Sequence, residues 1–156
     1  MRARALVAAL LAVPATAMST DVTDTFDVTA TVAASCTVSA ANLAFGTYDR
    51  TLGSNGTTTI TSNCTLATSY TLALDFGGAA DVNSRVMDGP NSETLNYQLT
   101  QDVAGLVPWG TVTDGDEVSL VGTGLDVPTT VYGQIASGQN VEAGSYSDTV
   151  TVTLTF

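Results

Sequence analysis

Hydrophobic and polar residues alternate without interruption at the C-terminal end of the chain. In residues 146–156 the apolar side chains fall at even positions and threonines lie between them: Val150, Val152, Leu154 and Phe156. A period of two over such a length is typical of a half-buried β-strand. We expect this strand to form the edge of a groove, with its four apolar side chains facing the core, because no residue follows it to cover the open side.

A second alternating segment lies near the opposite end of the chain. Its apolar residues share one face and are separated by Asp27, Thr29 and Thr31: Phe26, Val28, Ala30 and Val32. Because strands pair through their edges, this spare strand could fill the open edge of another copy. The two patterns together predict a subunit that polymerises by lending a strand to its neighbour.

The residues between these ends contain further strand patterns and no helical periodicity. The predicted strands cover residues 57–64, 70–76, 95–99, 118–121 and 129–135. Asn55-Gly56 predicts a hairpin turn, and Gly77-Gly78 ends the second of these strands. Short strands with glycine-rich turns indicate an all-β sandwich or barrel. We expect one domain over residues 36–156.

The N-terminal residues have the pattern of a secretory signal. Arg2 and Arg4 precede a short apolar stretch, and Ala15-Thr16-Ala17 fits the small-x-small cleavage rule. The alternatives are a membrane anchor and a buried helix, and an anchor requires about 20 apolar residues, more than this stretch provides. We therefore predict a signal peptide at 1–17, a polymerisation segment at 18–35 and an exported protein.

The charge of the chain excludes some partners. Loss of Arg2 and Arg4 takes the formal charge from −11 to −13, and Arg50 and Arg85 become the remaining basic residues. Phosphate contacts need lysine or arginine, so we expect no binding to nucleic acid or to anionic membranes. Solubility of an exported protein is a sufficient reason for the acidity.

Cys36 and Cys64 are the two cysteines, and in an exported chain they predict a disulfide. Closing this loop would stabilise the fold by about 3–4 kcal/mol. Metal ligation and a nucleophilic cysteine are weaker alternatives, because the chain has no histidine to act as a further ligand or as a base.

Enzyme chemistry has little support in the sequence. There is no Gly-x-Ser-x-Gly or Ser-x-x-Lys pattern, so we expect no catalytic residue, no cofactor and no small-molecule substrate. Asp114 and Asp116 are typical of a solvated turn, although a Ca²⁺ site or a carboxylate pair is an alternative. Trp109 is expected to pack in the core or at an edge, the alternative being a receptor contact.

Several motifs, in the order in which they occur along the chain, resemble those of the spore coat protein U domain family. This family includes the major and minor pilins of archaic chaperone–usher (Csu-type) pili. The resemblance covers nearly the whole predicted mature chain. Its motifs are Cys36-Thr-Val, Leu43-Ala-Phe-Gly-Thr-Tyr48, Asn63-Cys64, residues 70–74, Arg85-Val-Met87, Leu95-Asn-Tyr97, Trp109-Gly110, Val131-Tyr-Gly133, residues 144–150 and the terminal Phe156.

The resemblance implies an incomplete immunoglobulin-like β-sandwich that lacks its last strand. A periplasmic chaperone would fill the gap first, and the N-terminal segment of the next pilin subunit would replace it at an outer-membrane usher. The implied function is a structural subunit of a cell-surface pilus that supports adhesion and biofilm formation. Two alternatives stay open: a non-polymerising secreted coat protein and an adhesive tip module.

Overall fold

The computed structural model describes residues 17–156, so the predicted signal peptide lies outside the described residues except for Ala17. The chain divides between Thr31 and Val32 into two compact units. Residues 17–31 of the first unit contain no helix or strand, and the side chains of Phe26 and Val28 are 86% and 84% exposed. In the described residues, no helix is both long and apolar enough to cross a membrane.

The second unit is built from antiparallel strands, and the predicted all-β class is confirmed. Its strands are β1 Cys36–Ala40, β2 Ser54–Cys64, β3 Ser69–Leu74, β4 Val86–Asp88, β5 Thr94–Asn96, β6 Gln98–Thr100, β7 Val118–Val121, β8 Asp126–Ile135 and β9 Val152–Thr155. One sheet has the order β1-β2-β8-β6 and a second has the order β7-β3-β9, while β4 and β5 form a separate pair. A 3₁₀ turn, Pro90–Ser92, lies between β4 and β5.

The core contains apolar side chains from both large sheets. β2 and β8 contribute Ile60, Val131 and Ile135, while β3 contributes Tyr70, Leu72 and Leu74. A buried hydrogen bond of 2.7 Å between the hydroxyls of Ser62 and Tyr70 links β2 to β3. Trp109 is fully buried and its indole Nε1 donates to the carbonyl of Leu72 over 3.1 Å, so Trp109 is a core residue, as predicted.

The predicted disulfide between Cys36 and Cys64 is present. The two cysteines are directly opposite one another in the β1–β2 ladder, with their α carbons 4.1 Å apart. The bond therefore fixes β1, an edge strand, to β2, which lies inside the sheet.

The hairpin turn predicted at Asn55-Gly56 is wrong. These two residues lie inside β2 and pair with Gln134 and Gly133 of β8. The chain reverses earlier, where the N–H of Gly53 donates to the carbonyl of Asp49 over 2.7 Å. Gly53 has φ +77°, a conformation that glycine adopts without strain, so the turn there forms at no steric cost.

The strand predicted over residues 95–99 is two short strands in different sheets. β5 pairs with β4, whereas β6 pairs with β8. Between them, the N–H of Tyr97 donates to the carbonyl of Arg85 over 3.0 Å. The alternation of buried side chains continues through the crossing, because Leu95, Tyr97 and Leu99 are all buried.

Candidate strand-binding groove

The sandwich is open along one side, between the edges of its two large sheets. Two open cavities of about 830 and 670 Å³ share five lining residues: Leu43, Ala44, Phe45, Met87 and Tyr146. One wall is lined by residues 40–48, which start at the last residue of β1, and the other by residues 141–150 and by Val152, the first residue of β9. We call this region the groove, and its two sides the first wall and the second wall.

The floor of the groove is apolar core. The side chains exposed to the cavity at its base come from both large sheets, from β4 and from the residue between β5 and β6: Ile60, Leu74, Met87, Tyr97, Leu99 and Val131. All six are at most 9% exposed to solvent. An occupant with apolar side chains at alternate positions would extend this core outward, because one face of a strand points inward.

Polar side chains hold the first wall against β2. The hydroxyl of Thr58 donates to the carbonyl of Ala41 over 2.7 Å, and the hydroxyl of Ser54 donates to the carbonyl of Phe45 over 2.7 Å. A β carbon on Gly133 would lie 2.8 Å from a terminal atom of Leu43 and of Phe45. Glycine at this position therefore leaves the space that these two wall residues occupy.

Two aspartates hold the second wall. The carboxylate of Asp75 accepts the N–H of Thr151 over 2.8 Å, and the carboxylate of Asp148 accepts the hydroxyl of Tyr97 over 2.6 Å. Ser147 exchanges two backbone hydrogen bonds with Asp88. Residues 146–151 therefore follow β3 and β4 on one side, but the regular ladder of β9 begins at Val152.

Beneath the second wall lies a buried arginine. Arg85 is fully buried, and its Nη2 donates to the carbonyls of Asp75 and Trp109 over 2.6 and 2.9 Å. The guanidinium carbon lies 5.7 Å from the centre of the Phe76 ring. Burial lowers the pKa of Arg85, while the nearby Tyr97 and the carboxylates of Asp75 and Asp148 favour the charged form. The arginine thus ties the end of β3 to the segment that contains Trp109.

The residues around Arg85, which we call the Arg85 cluster, also shift the pKa values of Tyr97 and Asp75. Burial, the hydrogen bond to Asp148 and the charge of that carboxylate raise the pKa of Tyr97, so its hydroxyl stays a donor. Burial opposes ionisation of Asp75, but hydrogen bonds from Thr151 and Gly77 and the charge of Arg85 outweigh it and lower the pKa of Asp75. Asp75 is therefore an ionised acceptor at neutral pH.

The structure places the residues predicted for the groove edge at different sites. Val150 and Val152 line the groove. Leu154 packs against the core opposite Leu72 and lines neither of the two cavities, and Phe156 lies beyond the end of β9 and is 60% exposed. The strand predicted over residues 146–156 is thus shorter than expected: it begins at Val152, because the N–H of Thr151 donates to the carboxylate of Asp75 and not to a backbone carbonyl.

Sequence reasoning missed the first wall and the polar groups behind the second. Leu43 and Phe45 alternate, which is a weak strand signal, but they appeared only as part of the family motif. Arg85 appeared in the same way, and nothing in its local sequence indicates burial. The contacts that make these residues important join positions far apart in the chain.

The other sequence predictions concern the spare strand and the acidic turn. Phe26, Val28 and Val32 are exposed, as is Ala30, and none of them lies in a strand. The N–H groups of Asp114 and Asp116 donate to the carbonyl of Thr111 over 3.2 and 3.4 Å, which forms a turn. In residues 17–156 no three acidic or cysteine side chains are grouped to hold a metal ion.

Known proteins resemble this chain in fold and in sequence. One solved relative is the chaperone–tip adhesion subunit pre-assembly complex from archaic chaperone–usher Csu pili of Acinetobacter baumannii, with a TM-score of 0.60 and 23% identity. That alignment covers 81% of this chain and 41% of the other. Protein U of Myxococcus xanthus is 36% identical over 128 residues, which cover 73% of this chain and 71% of the relative. The family model of the spore coat protein U domain matches residues 22–153, and the chain belongs to that family.

Proposed function

We propose that this protein is a structural subunit of a cell-surface pilus, polymerising by donor-strand complementation. Residues 26–32 of one copy would enter the groove of the next. One observation carries the proposal: the same chain has an apolar groove between two sheet edges and an exposed segment with alternating apolar side chains. Each of these features exposes apolar surface that the other could bury.

The energetics favour such a pairing. A strand lying between the two walls would exchange main-chain hydrogen bonds with them, and its alternate side chains would reach the floor. Full burial of Phe26, Val28 and Val32 would contribute about 1.5–3 kcal/mol each. In the single chain these three side chains are 86%, 84% and 82% exposed, so nearly all of this area is available for burial. Release would require breaking the whole ladder, which makes such a polymer kinetically stable.

The proposed partners follow from the open groove. An apolar groove exposed before assembly is an aggregation hazard, so we propose that a periplasmic chaperone covers it until a neighbouring subunit arrives. The Acinetobacter relative is a chaperone–subunit complex, which supports this. We further propose delivery through an outer-membrane usher to the cell surface, where the fibre would support adhesion and biofilm formation.

The test uses two neighbouring substitutions in the exposed segment. Val28→Asp should prevent addition as an incoming subunit, because it places an unpaired charge on the apolar floor. Thr29→Asp introduces the same charge on the opposite face, which would point away from the floor. The measurement is the ladder of heat-resistant multimers on a denaturing gel. We expect ladders from the wild type and Thr29→Asp; ladders of equal length from Val28→Asp would sink the proposal.

The family name supports a second candidate, a secreted coat protein that does not polymerise. In that case residues 26–32 would pair within their own chain. The purified mature protein would then give no ladder, and residues 26–32 would resist proteases in the monomer. Protease sensitivity of this segment in the monomer and resistance in the multimer would favour the pilus subunit.

A further inference from the structure

Two leucines are exposed on adjoining loops at the disulfide end of the domain. Leu66 is 72% and Leu125 is 71% exposed. Their loops are joined, because the N–H of Ala67 donates to the carbonyl of Gly122 over 2.8 Å and the N–H of Gly124 to the carbonyl of Cys64 over 3.1 Å. A β carbon on Gly124 would lie 4.0 Å from that of Leu66. We call residues 64–68 and 121–125 the disulfide-end patch.

The N-terminal segment enters the domain next to this patch. The N–H of Ser35 donates to the hydroxyl of Thr65 over 3.1 Å, and the N–H of Thr65 donates to the carbonyl of Ser35 over 2.9 Å. The disulfide of Cys36 fixes the following residue to Cys64. The position of Ser35 is therefore set by Thr65, the patch residue that directly precedes Leu66.

The connection between the segment and the domain is short. Residues 33–35 separate Val32 from Cys36. Fully extended, this connection spans about 13 Å between the α carbons of Val32 and Cys36. A neighbour that holds residues 26–32 in its groove must therefore lie near the disulfide end, because its bound Val32 is no farther than this from Cys36.

Charge singles out the same surface. The protein is strongly acidic, so two copies repel each other wherever their carboxylates approach. Residues 33–40, 64–68 and 121–125 contain no charged side chain. The end of the domain that the short connection brings to a neighbour is thus poor in charge and carries two exposed leucines. The carboxylate that borders it, that of Asp126, accepts the side-chain amide of Asn63 over 2.8 Å.

We propose that the disulfide-end patch is a contact surface for the next copy of this chain, separate from the groove and the inserted strand. The proposal rests on the proposed function. Leu66 and Leu125 would pack against the copy that receives residues 26–32, and this contact would set the angle between consecutive subunits. The inserted strand would supply the strength of the polymer and the patch its shape.

Hydroxyl-radical footprinting of the wild-type polymer tests the contact. Labelling of each leucine and valine is normalised to the reduced, unfolded chain. Leu66 and Leu125 should be labelled at least fivefold less than Leu52 and Val103, both 83% exposed in the domain. If heat-resistant ladders form but the four residues label equally, the patch proposal is overturned and the proposed function stands. If no ladders form, both fail.

Paired substitutions give a second readout. Leu66→Asp with Leu125→Asp should leave the ladders intact but widen the distribution of angles between consecutive subunits in electron micrographs. Leu52→Asp with Val103→Asp adds the same charge at other exposed sites and should leave the distribution unchanged. An unchanged distribution in the patch variant would overturn the proposal.

Discussion

The β2–β8 ladder and the walls of the groove border the same core but are held together differently. β2 and β8 pair continuously from Ser54 opposite Ile135 to Asn63 opposite Asp126, so their backbone groups satisfy one another. The walls have only scattered backbone bonds and are also held by side chains: Thr58 and Ser54 hold the first wall, and Asp75 and Tyr97 hold the second.

This difference shows how a sandwich can keep a groove open. A wall bonded into a ladder on both sides has no backbone groups left for another strand. A wall that is bonded from one side only stays in place and keeps the backbone groups of its other side for an occupant. The paired side of the sandwich supplies stability, and the groove side supplies a binding edge.

The largest expected effect comes from filling the groove within one chain. Fusing residues 25–35 after Phe156 through a flexible linker should bury Phe26, Val28 and Val32 against the floor. A gain of about 5 kcal/mol at about 4 °C per kcal/mol raises the melting temperature by about 20 °C. Thermal unfolding followed by circular dichroism measures this, and the ladders should disappear.

The matched control is the same fusion carrying Val28→Asp in the added copy. It has the same length and linker, but its inserted segment would place a charge on the floor. Its melting temperature should stay close to that of the unfused chain. If the unsubstituted fusion also has the melting temperature of the unfused chain and still forms ladders, the groove does not bind this segment.

A smaller change in stability is expected from a substitution where β8 contacts the first wall. Gly133→Ala places a β carbon against Leu43 and Phe45, so overpacking should cost about 1–3 kcal/mol. Gly78→Ala is the control, because nothing lies within 4 Å of its β carbon. Urea midpoints measure both. Equal midpoints for Gly133→Ala and the wild type would show that the side chains of Leu43 and Phe45 move aside without cost.

Local pattern was sufficient for the strands that pair on the closed side. β3, β7 and β8 lie within or overlap the segments that alternation predicted, and the cysteine count gave the disulfide. The strands depend on residues that are neighbours in the sequence, and two cysteines allow a single pairing. Asn55-Gly56 failed for the opposite reason: a strong local turn signal lost to long-range pairing with Gln134 and Gly133.

The sequence placed the groove edge at Val150, Val152, Leu154 and Phe156, of which Val150 and Val152 line the candidate groove. That this groove binds a strand, and that residues 26–32 fill it, remain predictions. Alternation did not find the first wall, because residues 41–45 form no regular ladder and the residues that they contact are far away in the sequence. Nor did it find the Arg85 cluster, whose members come from five separate segments, at positions 75–76, 85, 97, 109 and 148.

The smallest expected effect is the acid sensitivity of the second wall. The pKa of Asp75 is lowered in the folded protein by hydrogen bonds from Thr151 and Gly77, against the opposing effect of burial. Its stabilising contribution is therefore complete above the pKa of the unfolded chain, about 3.9, and is lost as the pH falls through the folded pKa.

Asp75→Asn keeps an oxygen that accepts the N–H of Thr151 but does not titrate. Urea midpoints measured from about pH 6 to about pH 2.5 should fall less steeply in this variant than in the wild type. Parallel curves would mean that the ionised carboxylate of Asp75 does not hold the wall, and that the backbone bond from Asp75 to the carbonyl of Thr151 is sufficient.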